Sequence, residues 1–533
     1  MSYKVKKILS SSKNNKKQTD PPKALLGLPS PPILEMNLQE DLEQNKAALK
    51  ELFADCSDMV YRDVNVEEGR PAFLAYIEGI ADANSIKDHM LRPIIIGLIR
   101  EETEEDYEPI DLKRISLPQV SRASTWKEVS EALLSSSAVL LVDGSKEALS
   151  FNVKLGVRRG VEEPQTESVI RGPREGFTET LRVNTALLRF KIKTPSLKMA
   201  GMVIGKQTKT DIVLCYIEGL ADEKIVQEAR KRLKNIDIDG VLESGYIEEL
   251  IEDNPYSPFP QMQYTERPDT VAAQLLEGRF AILIDGTPFA LIAPVSLAQL
   301  LQASEDYYER FFIATLIRWL RYTFILIALF LPGLYIAVTT FHHDMVPTTL
   351  MLSIAAARES IPFPAIVEAL MMEVSFEALR EAGVRLPKTV GQAVSILGAL
   401  VIGQAAVQAG IVSAPMVIVV SLTGIASFTI PKFNLAITVR MLRFTVMILA
   451  AVFGMFGIII GVIWIAVHMV QLKSFGVPYL SGLTPYQPRS FKDILVRVPW
   501  WSMIDRPSWV DNDDRKRMKE GMTSSTKQPD EGW

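Results

Sequence analysis

The sequence predicts a mixed α/β or α+β region made of two similar tandem subdomains, followed by an α-helical polytopic membrane region. Sequence patterns repeat in the N-terminal half, long apolar segments fill much of the C-terminal half, and charged residues lie almost wholly outside those segments. Crossing the hydrocarbon core of a bilayer takes about 20 apolar residues in a helix. At 533 residues the chain is also too long for one hydrophobic core, so two or more domains are expected.

Two patterns occur twice in the N-terminal half. YIEGIAD at 76–82 recurs as YIEGLAD at 216–222, and LLVDGS at 140–145 recurs as LIDGT at 283–287. Because both patterns return after nearly the same interval, two similar units stand in tandem. The predicted domains are a disordered Lys/Pro-rich tail at 1–35, subdomains at 36–155 and 191–300 with a linker at 156–190, a helical membrane domain at 301–475, and a C-terminal tail at 476–533.

Each unit mixes strands and helices. The apolar runs FLAYIEG and IVLCYIEG are typical of buried strands, and ADEKIVQEARKRLKNI has helical periodicity after a capping Asp222. The residues before Asp143-Gly144 and Asp285-Gly286 are expected to form hairpin arms, because Asp-Gly readily adopts the positive φ angles of a tight turn.

This half carries no strong catalytic constellation. Glu78 and Glu218 follow the two strands and are interpreted as helix caps. GMVIGK at 201–206 has one residue too few between its glycines for a phosphate-binding loop. Cys56 and Cys215 suggest neither a disulfide framework nor a zinc site, and a formal net charge of −5 argues against a nucleic-acid partner. The sequence therefore predicts a nonenzymatic protein without a cofactor or metal.

Spans are predicted near 322–341, 390–410, 411–430 and 444–468. Just before the first, aromatic residues surround Arg310, Arg318 and Arg321, which suits an interfacial helix with its cations on the cytoplasmic side. The N-terminus lacks an apolar run of signal-peptide length, so the large N-terminal region is expected to be cytoplasmic.

Between the first two spans, the apolar segment 345–372 is broken at Pro362 and Pro364 and carries charges. Such a segment is tolerated at membrane depth only where it faces protein or water. It is therefore either a re-entrant or cavity-lining element, or an amphipathic hairpin outside the hydrocarbon. Three carboxylates in or just after it are candidates for attracting cations at a pore mouth: Glu359, Glu368 and Glu373.

The segment 390–410 is rich in small and polar residues. On a helix these residues form stripes that either hydrate a pore or serve only close helix packing. The pore-lining candidates are Gln392, Ser395, Ala399, Gly403, Gln404 and Gln408.

The number of crossings stays open on the sequence alone. An even number returns the C-terminal tail to the cytoplasm but places Lys432, Arg440 and Arg443 outside, against the usual bias of basic residues. Counting the Pro-broken segment as a span reverses both assignments. We favour a cytoplasmic tail.

Several ordered blocks resemble the A subunit of the GerA-type spore germination receptors. They are DGTPFALIAPV, SEDYYERF, LPGLYIAVTTFHHDMVPTTLMLSIAAARESIPFPAIVEALMMEVSFEALREAGVRLPK, GQAVSILGALVIGQAAV and SFGVPYL. The resemblance runs from about residue 36 to about residue 501 and is most specific in the membrane half.

The resemblance implies a protein of the spore inner membrane that detects nutrients together with a transporter-like B subunit and a lipoprotein C subunit. It also implies a homo-oligomer, proposed to be a pentamer, whose helices surround a pore for monovalent cations within the membrane lipid. Germinant recognition is assigned chiefly to the B subunit. A nutrient-gated cation channel is thus the expected function. The alternatives are a non-conducting scaffold or signal relay, and a secondary transporter, which the lack of an evident inverted repeat disfavours.

Overall fold

A computed structural model describes residues 32–66, 69–92, 120–154, 163–164, 166–484, 492–506 and 516–518. Most of the predicted tail at 1–35, part of the predicted linker at 156–190 and much of the predicted tail at 476–533 lie outside these residues. The described chain divides into two antiparallel sheets with their helices and a bundle of long helices.

The first sheet holds five antiparallel strands in the order β1-β2-β4-β5-β3. Helices α1 and α2 supply apolar side chains to the core on this sheet. The bounds are α1 Leu42–Leu52, β1 Met59–Asn65, β2 Pro71–Ile77, β3 Val120–Ala123, α2 Trp126–Leu134, β4 Ser137–Val142 and β5 Ala148–Asn152.

The second sheet repeats this arrangement, because its order β6-β7-β9-β10-β8 is the same pattern five strands later. Its hydrophobic core contains residues from α3 and α6 on one face and from α4 and α5 on the other. The bounds are α3 Leu181–Lys191, β6 Leu197–Ile204, β7 Thr210–Ile217, α4 Glu223–Lys234, α5 Ser244–Ile251, β8 Gln263–Thr265, α6 Pro268–Leu275, β9 Phe280–Ile284 and β10 Ala290–Ala293.

The repeated Asp-Gly pairs form the predicted hairpin turns and also begin a helix. Gly144 and Gly286 have φ angles of 80° and 86°, which confirms the prediction from Asp-Gly chemistry. In addition, the Asp143 carboxylate accepts the backbone N–H of Leu42 at 3.3 Å, and that of Asp285 accepts the N–H of Leu181 at 3.0 Å. Each turn therefore fastens the first helix of its unit to the sheet, since the first N–H groups of a helix need acceptors.

Two further expectations for the sheet region need correction. Glu78 and Glu218 do not cap helices: they form ion pairs with Arg182 and Lys198 at 3.1 and 3.3 Å. Asp222 caps α4 as predicted, by accepting the N–H of Lys224 at 2.8 Å. The linker also ends earlier than predicted, because α3 begins within 156–190 and packs into the second core.

The two units contact each other through the loop before β1 and through α3 and β6. The N–H of Ser57 donates to the carbonyl of Met199, and the N–H of Met199 donates to the carbonyl of Asp55, both at 2.9 Å. Next to them, the Arg189 guanidinium donates Nε and Nη2 to both carboxylate oxygens of Asp58 at 2.7 and 3.0 Å. Both charged side chains are fully buried, so this pair lies inside the interface between the units.

Seven helices of the described chain form the bundle: α7 Phe311–Thr340, α8 Thr348–Arg358, α9 Ala365–Arg385, α10 Lys388–Gln408, α11 Ala414–Phe428, α12 Phe433–Phe453 and α13 Met455–Gln471. Within the described residues, α7 and α12 have the length and apolarity needed to cross a membrane, and α11 and α13 are shorter apolar helices. Helix α7 packs along α11 and α12, where Gly333 lets it approach Val446 and Ala450 closely.

The helices alternate in direction relative to the sheets. Helix α12 begins near the second unit, where Lys432 pairs with Glu167 at 2.6 Å, and α13 ends there, where His468 lies 2.8 Å from Ser257 Oγ. Helices α9 and α12 are antiparallel, because the pairs Glu373–Arg443 and Glu377–Arg440 advance in opposite directions. Thus α7, α10 and α12 lead away from the sheets, whereas α9, α11 and α13 lead back.

The predicted span at 444–468 is wrong, because the chain reverses within it. Gly454 has φ 61° and ψ −139° and separates α12 from α13. The two helices form a hairpin in which a β-carbon on Gly461 would lie 3.5 Å from Leu449 and Val446. Apolarity alone could not reveal this reversal, since both helices of the hairpin are apolar and a single glycine makes the turn.

Replacing Gly454 with alanine is expected to destabilise this hairpin by about 1–3 kcal/mol, because φ is positive there and ψ lies outside the left-handed region that L residues tolerate. The new β-carbon would also lie 2.7 Å from His342 Cε1. Thermal unfolding of the full chain in detergent measures the effect. Gly461→Ala is the matched control, since its β-carbon would make ordinary contacts. Equal midpoints for the two variants would contradict the assignment of the turn.

The segment after α13 returns to the sheets. The short strands β11 Lys473–Ser474 and β12 Val477–Pro478 pair with each other, and Ser474 Oγ donates to the carbonyl of Gln261 at 2.7 Å. Farther on, Arg517 pairs with Glu277 at 2.8 Å. The described C-terminal residues therefore lie on the same end of the bundle as the second unit.

Candidate functional site

The helical bundle contains buried charges that the sequence places in or near the Pro-broken segment. Helix α9 carries Glu368, Glu373 and Glu377 toward the bundle, although its composition excludes it from the plainly apolar helices. Charged side chains within a membrane segment face protein or water and require partners. Their partners therefore decide which of the predicted acidic candidates are available to ions.

Glu368 stands in the first turn of α9 and is completely buried. Its carboxylate accepts Arg358 Nε at 3.1 Å and both the N–H and the hydroxyl of Ser413 at 3.1 and 2.9 Å. Pro364 is the residue just before this helix, which is where proline is tolerated. The break at Pro362 and Pro364 thus separates α8 from α9 and places Glu368 where it joins both to α11.

Glu373 forms the deepest ion pair of the bundle. Its Oε2 lies 2.5 Å from Arg443 Nη1 on α12, and the two side chains are 0% and 1% exposed. Glu373 Oε1 and the Nε and Nη2 of Arg443 have no hydrogen-bond partner among the described residues. Nearby, Glu377 pairs with Arg380 at 2.7 Å and with Arg440 at 3.8 Å. Charge inside the bundle is therefore compensated between α9 and α12, between α8 and α9, and within α9.

The predicted pore residues lie on α10, which forms an antiparallel hairpin with α9. A β-carbon on Gly398 would meet the side chain of Leu379, so small residues bring these helices together. Gly403 is buried, whereas Gln404 and Gln408 are exposed in the protomer. Gln392, Ser395 and Ala399 lie on the same helix, but their side chains are outside the described part of the structure. Glu359, at the end of α8, is exposed and remains available at a surface.

A second charge cluster joins the segment that precedes α7 to α7 itself and to the C-terminal residues. The carboxylate of Asp306 accepts Arg318 Nε and Arg321 Nη1, both at 3.0 Å, and Arg318 also lies 3.2 Å from Asp493. These arginines are buried, so they hold protein groups together and do not face lipid headgroups as the sequence suggests. Burial raises the pKa of the Asp493 carboxyl above its usual value, while Arg318 opposes that shift.

The sequence predicts the carboxylates but not their partners. Arg440 and Arg443 bear only on the bias of basic residues, and Arg358 is one of the charges of the Pro-broken segment. A useful signal was present in α12: two arginines three residues apart inside an otherwise apolar helix. Such residues in a span require acidic partners, which only α9 offers nearby.

The amino-acid sequence matches a known family over most of its length. Residues 47–509 match the family model described as Bacillus/Clostridium GerA spore germination protein. The chain belongs to the GerA family. This confirms the resemblance predicted from the sequence blocks around α7 to α10.

Relatives agree with this GerA assignment. The chain is 48% identical over 482 residues to spore germination protein KA of Bacillus subtilis (strain 168), which covers 90% of this chain and 88% of that protein. It is 59% identical over 471 residues to a protein of the same strain described as uncharacterized membrane protein YfkQ, which covers 88% of this chain and 91% of that one.

Among solved structures, the chain is similar to the N-terminal domain of the A subunit of the Bacillus megaterium spore germinant receptor GerK3. Sequence identity is 40%, and the match covers 49% of this chain and 96% of that domain with a TM-score of 0.39.

Proposed function

We propose that this GerA family protein is the membrane subunit of a nutrient germinant receptor that triggers endospore germination, and that it oligomerises into a nutrient-gated cation channel. The observation that carries the proposal is the α9–α10 hairpin. Charged residues of α9 are neutralised against α12, while α10 exposes Gln404 and Gln408 in the protomer. An exposed amide face on a membrane helix needs water or another protomer beside it.

The proposed topology has six crossings, formed by α7 and by α9 to α13. This number follows from the alternating helix directions and returns the C-terminal tail to the side of the two sheet units, which we propose are tandem subdomains in the cytoplasm. Lys432 then lies on the cytoplasmic side, in agreement with the bias of basic residues. Counting α9 as a crossing puts Lys432 in the cytoplasm, and counting α12 and α13 as separate crossings keeps the tail there, so the proposed topology meets both expectations.

The pore is proposed to form around an axis shared by several copies, for which the family resemblance implies a pentamer. One protomer cannot enclose a wide hydrophilic path, so closure by rotational symmetry is required. The pore-lining proposal keeps Gln392, Ser395, Ala399, Gln404 and Gln408. It drops Gly403, because this residue is buried and a β-carbon on it would lie 3.7 Å from Val417 of α11. Of the acidic candidates, Glu359 is proposed to attract cations at a mouth, whereas Glu368 and Glu373 brace the protomer.

Partners and location follow from the same proposal. Relatives are spore germination proteins, which supports a receptor with a transporter-like B subunit and a lipoprotein C subunit in the spore inner membrane. Nutrient binding on a partner would open the ring only if it stabilised the open state more than the closed state. The charge cluster around Asp306, which fastens α7 to the segment that leads into it from the second sheet unit, offers a path for that coupling.

The test is monovalent-cation conductance of the complete receptor in liposomes, with and without nutrients. Gln404→Leu is expected to lower the nutrient-evoked flux about fivefold, because losing one polar contact to a hydrated ion raises the barrier by about 1 kcal/mol. Gln227→Leu, an exposed change on α4, is the matched control.

The second candidate function is a non-conducting scaffold or signal relay in the same receptor. The contacts through Asp306 and Asp493, which join α7 to the segment before it and to the C-terminal residues, favour it. A flux that is unchanged by Gln404→Leu, or that persists without this subunit, would support the scaffold and remove the pore from this chain.

A further inference from the structure

A cavity of about 380 Å³ with a mostly apolar lining lies where the second sheet unit meets the helical bundle. Its walls come from α6, from the segment that leads into α7, from Lys432 at the start of α12, and from the C-terminal residues Trp500, Arg506 and Arg517. The cavity therefore exists only when sheet, bundle and C-terminal segment are assembled. Its volume falls within the range of small-ligand sites.

Three buried oxygen atoms of residues that line the cavity have no hydrogen-bond partner among the described residues. They are Oδ1 of Asp269, Oε1 of Gln274 and Oε1 of Gln299. Asp269 and Gln299 are only 9% and 5% exposed. The other groups of these side chains are engaged, since Asp269 Oδ2 accepts Arg267 and Tyr308, and Gln299 Nε2 donates to Gln263 at 2.7 Å. Buried acceptors require donors, so the occupant carries several N–H or O–H groups.

The basic side chains of the walls indicate a second property of the occupant. Lys432, Arg506 and Arg517 line the cavity, and Lys432 also pairs with Glu167 and Arg517 with Glu277. Arginine and lysine are the residues that bind phosphate oxygens in proteins. A molecule with a phosphate at one end and hydrogen-bond donors at the other satisfies both parts of the wall.

The position of the cavity identifies the source of such a molecule. Tyr307 and Trp500 line it, and their rings lie 6.0 Å apart. The adjacent Trp501 packs on Phe311, the first residue of α7, with their ring centres 6.1 Å apart. From there α7 exposes Phe312, Leu316 and Trp319, as expected where a helix enters a bilayer. Tryptophan and tyrosine favour the level of the lipid headgroups.

We propose that the cavity binds the headgroup of a phospholipid that carries hydrogen-bond donors, as the glycerol of phosphatidylglycerol and the ammonium of phosphatidylethanolamine do. The phosphate lies toward the basic side chains, and the hydroxyl or ammonium groups donate to Asp269, Gln274 and Gln299. A lipid in this place touches both the second sheet unit and the start of α12. The assignment requires α7 to lie in a membrane but does not depend on whether the chain conducts ions.

The experiment is lipid binding to the full chain in detergent, followed by native mass spectrometry with three headgroups on identical acyl chains. Phosphatidylglycerol and phosphatidylethanolamine are expected to bind at least about tenfold more tightly than phosphatidylcholine, whose trimethylated amine donates no hydrogen bond. Equal binding of the three lipids would overturn the proposal. Binding of soluble glycerophosphoglycerol as tightly as the lipid would overturn the lipid source.

Gln274→Leu removes one unpaired acceptor with little change in volume and is expected to weaken phosphatidylglycerol binding about three- to tenfold. Gln227→Leu on α4 is the matched control and is expected to leave binding unchanged. The same loss in both variants, or in neither, would overturn the assignment. The headgroup comparison with the unchanged chain decides the case if Gln274→Leu fails to fold.

Discussion

Replacing Asp58 with alanine is expected to lower the free energy of unfolding of the sheet region by about 3–5 kcal/mol, the usual cost of leaving one buried charge without its partner. The guanidinium of Arg189 would then be enclosed at the interface of the two units without its carboxylate. Its Nη1 would keep only the carbonyl of Thr194, at 3.3 Å. The full chain in detergent, unfolded by heat and followed by circular dichroism, measures this change.

The controls separate a buried pair from an ordinary surface pair. Asp63→Ala removes an exposed carboxylate that pairs with Lys46, and we expect it to leave the unfolding midpoint nearly unchanged. The double variant Asp58→Leu with Arg189→Met removes both charges and is expected to recover much of the loss, because no unpaired charge stays buried. An Asp58→Ala midpoint equal to that of Asp63→Ala would show that the interface does not depend on this pair.

The same pair distinguishes the two similar units, because only the first unit has the carboxylate that forms the contact between them. The carbonyl of Asp58 accepts the N–H of Glu78 at 2.8 Å, and the carbonyl of Ser196 accepts the N–H of Glu218 at 2.8 Å, so Asp58 and Ser196 are equivalent positions. Only the first carries a carboxylate, and it lies against α3 of the second unit. The difference between Asp58 and its equivalent Ser196 therefore specifies which surface of the first unit contacts the second.

Local chemistry made much of the sheet region predictable. Apolar runs predict β2 and β7, Asp222 predicts the start of α4, and the Asp-Gly pairs predict both hairpin turns. Each of these depends on residues close together in the sequence. The roles of Asp143 and Asp285 as acceptors for α1 and α3 were not predictable, because those partners are far apart in the chain.

In the bundle, apolarity located the helices but not their ends or partners. The reversal at Gly454 lies between two apolar helices, so no change of composition marks it. The charges of α9 make it look unsuited to the bundle, yet it packs there. Its position could not be predicted, because it depends on the ion pair between Glu373 and Arg443, which are far apart in the sequence.

Replacing Glu373 with glutamine is expected to have the largest effect in the bundle, a loss of about 3–5 kcal/mol, because Arg443 would stay buried without a counter-charge. Arg443 already has two guanidinium nitrogens without partners among the described residues, so it cannot easily find a substitute. The unfolding temperature of the full chain in detergent measures the loss. Glu381→Gln on the same helix, which removes an exposed pair with Arg385, is expected to change little.

The exchange of both charges, Glu373→Arg with Arg443→Glu, tests whether the pair itself carries the effect. Partial recovery of the unfolding temperature is expected, since the opposite charges would again face each other between α9 and α12. An unfolding temperature no higher than that of either single charge reversal would mean that each residue acts separately. The pair is also the main charged link between the α9–α10 hairpin and α12, so the single variant is expected to change how much nutrient the receptor needs for germination. Unchanged germination in a destabilised protein would restrict the pair to folding.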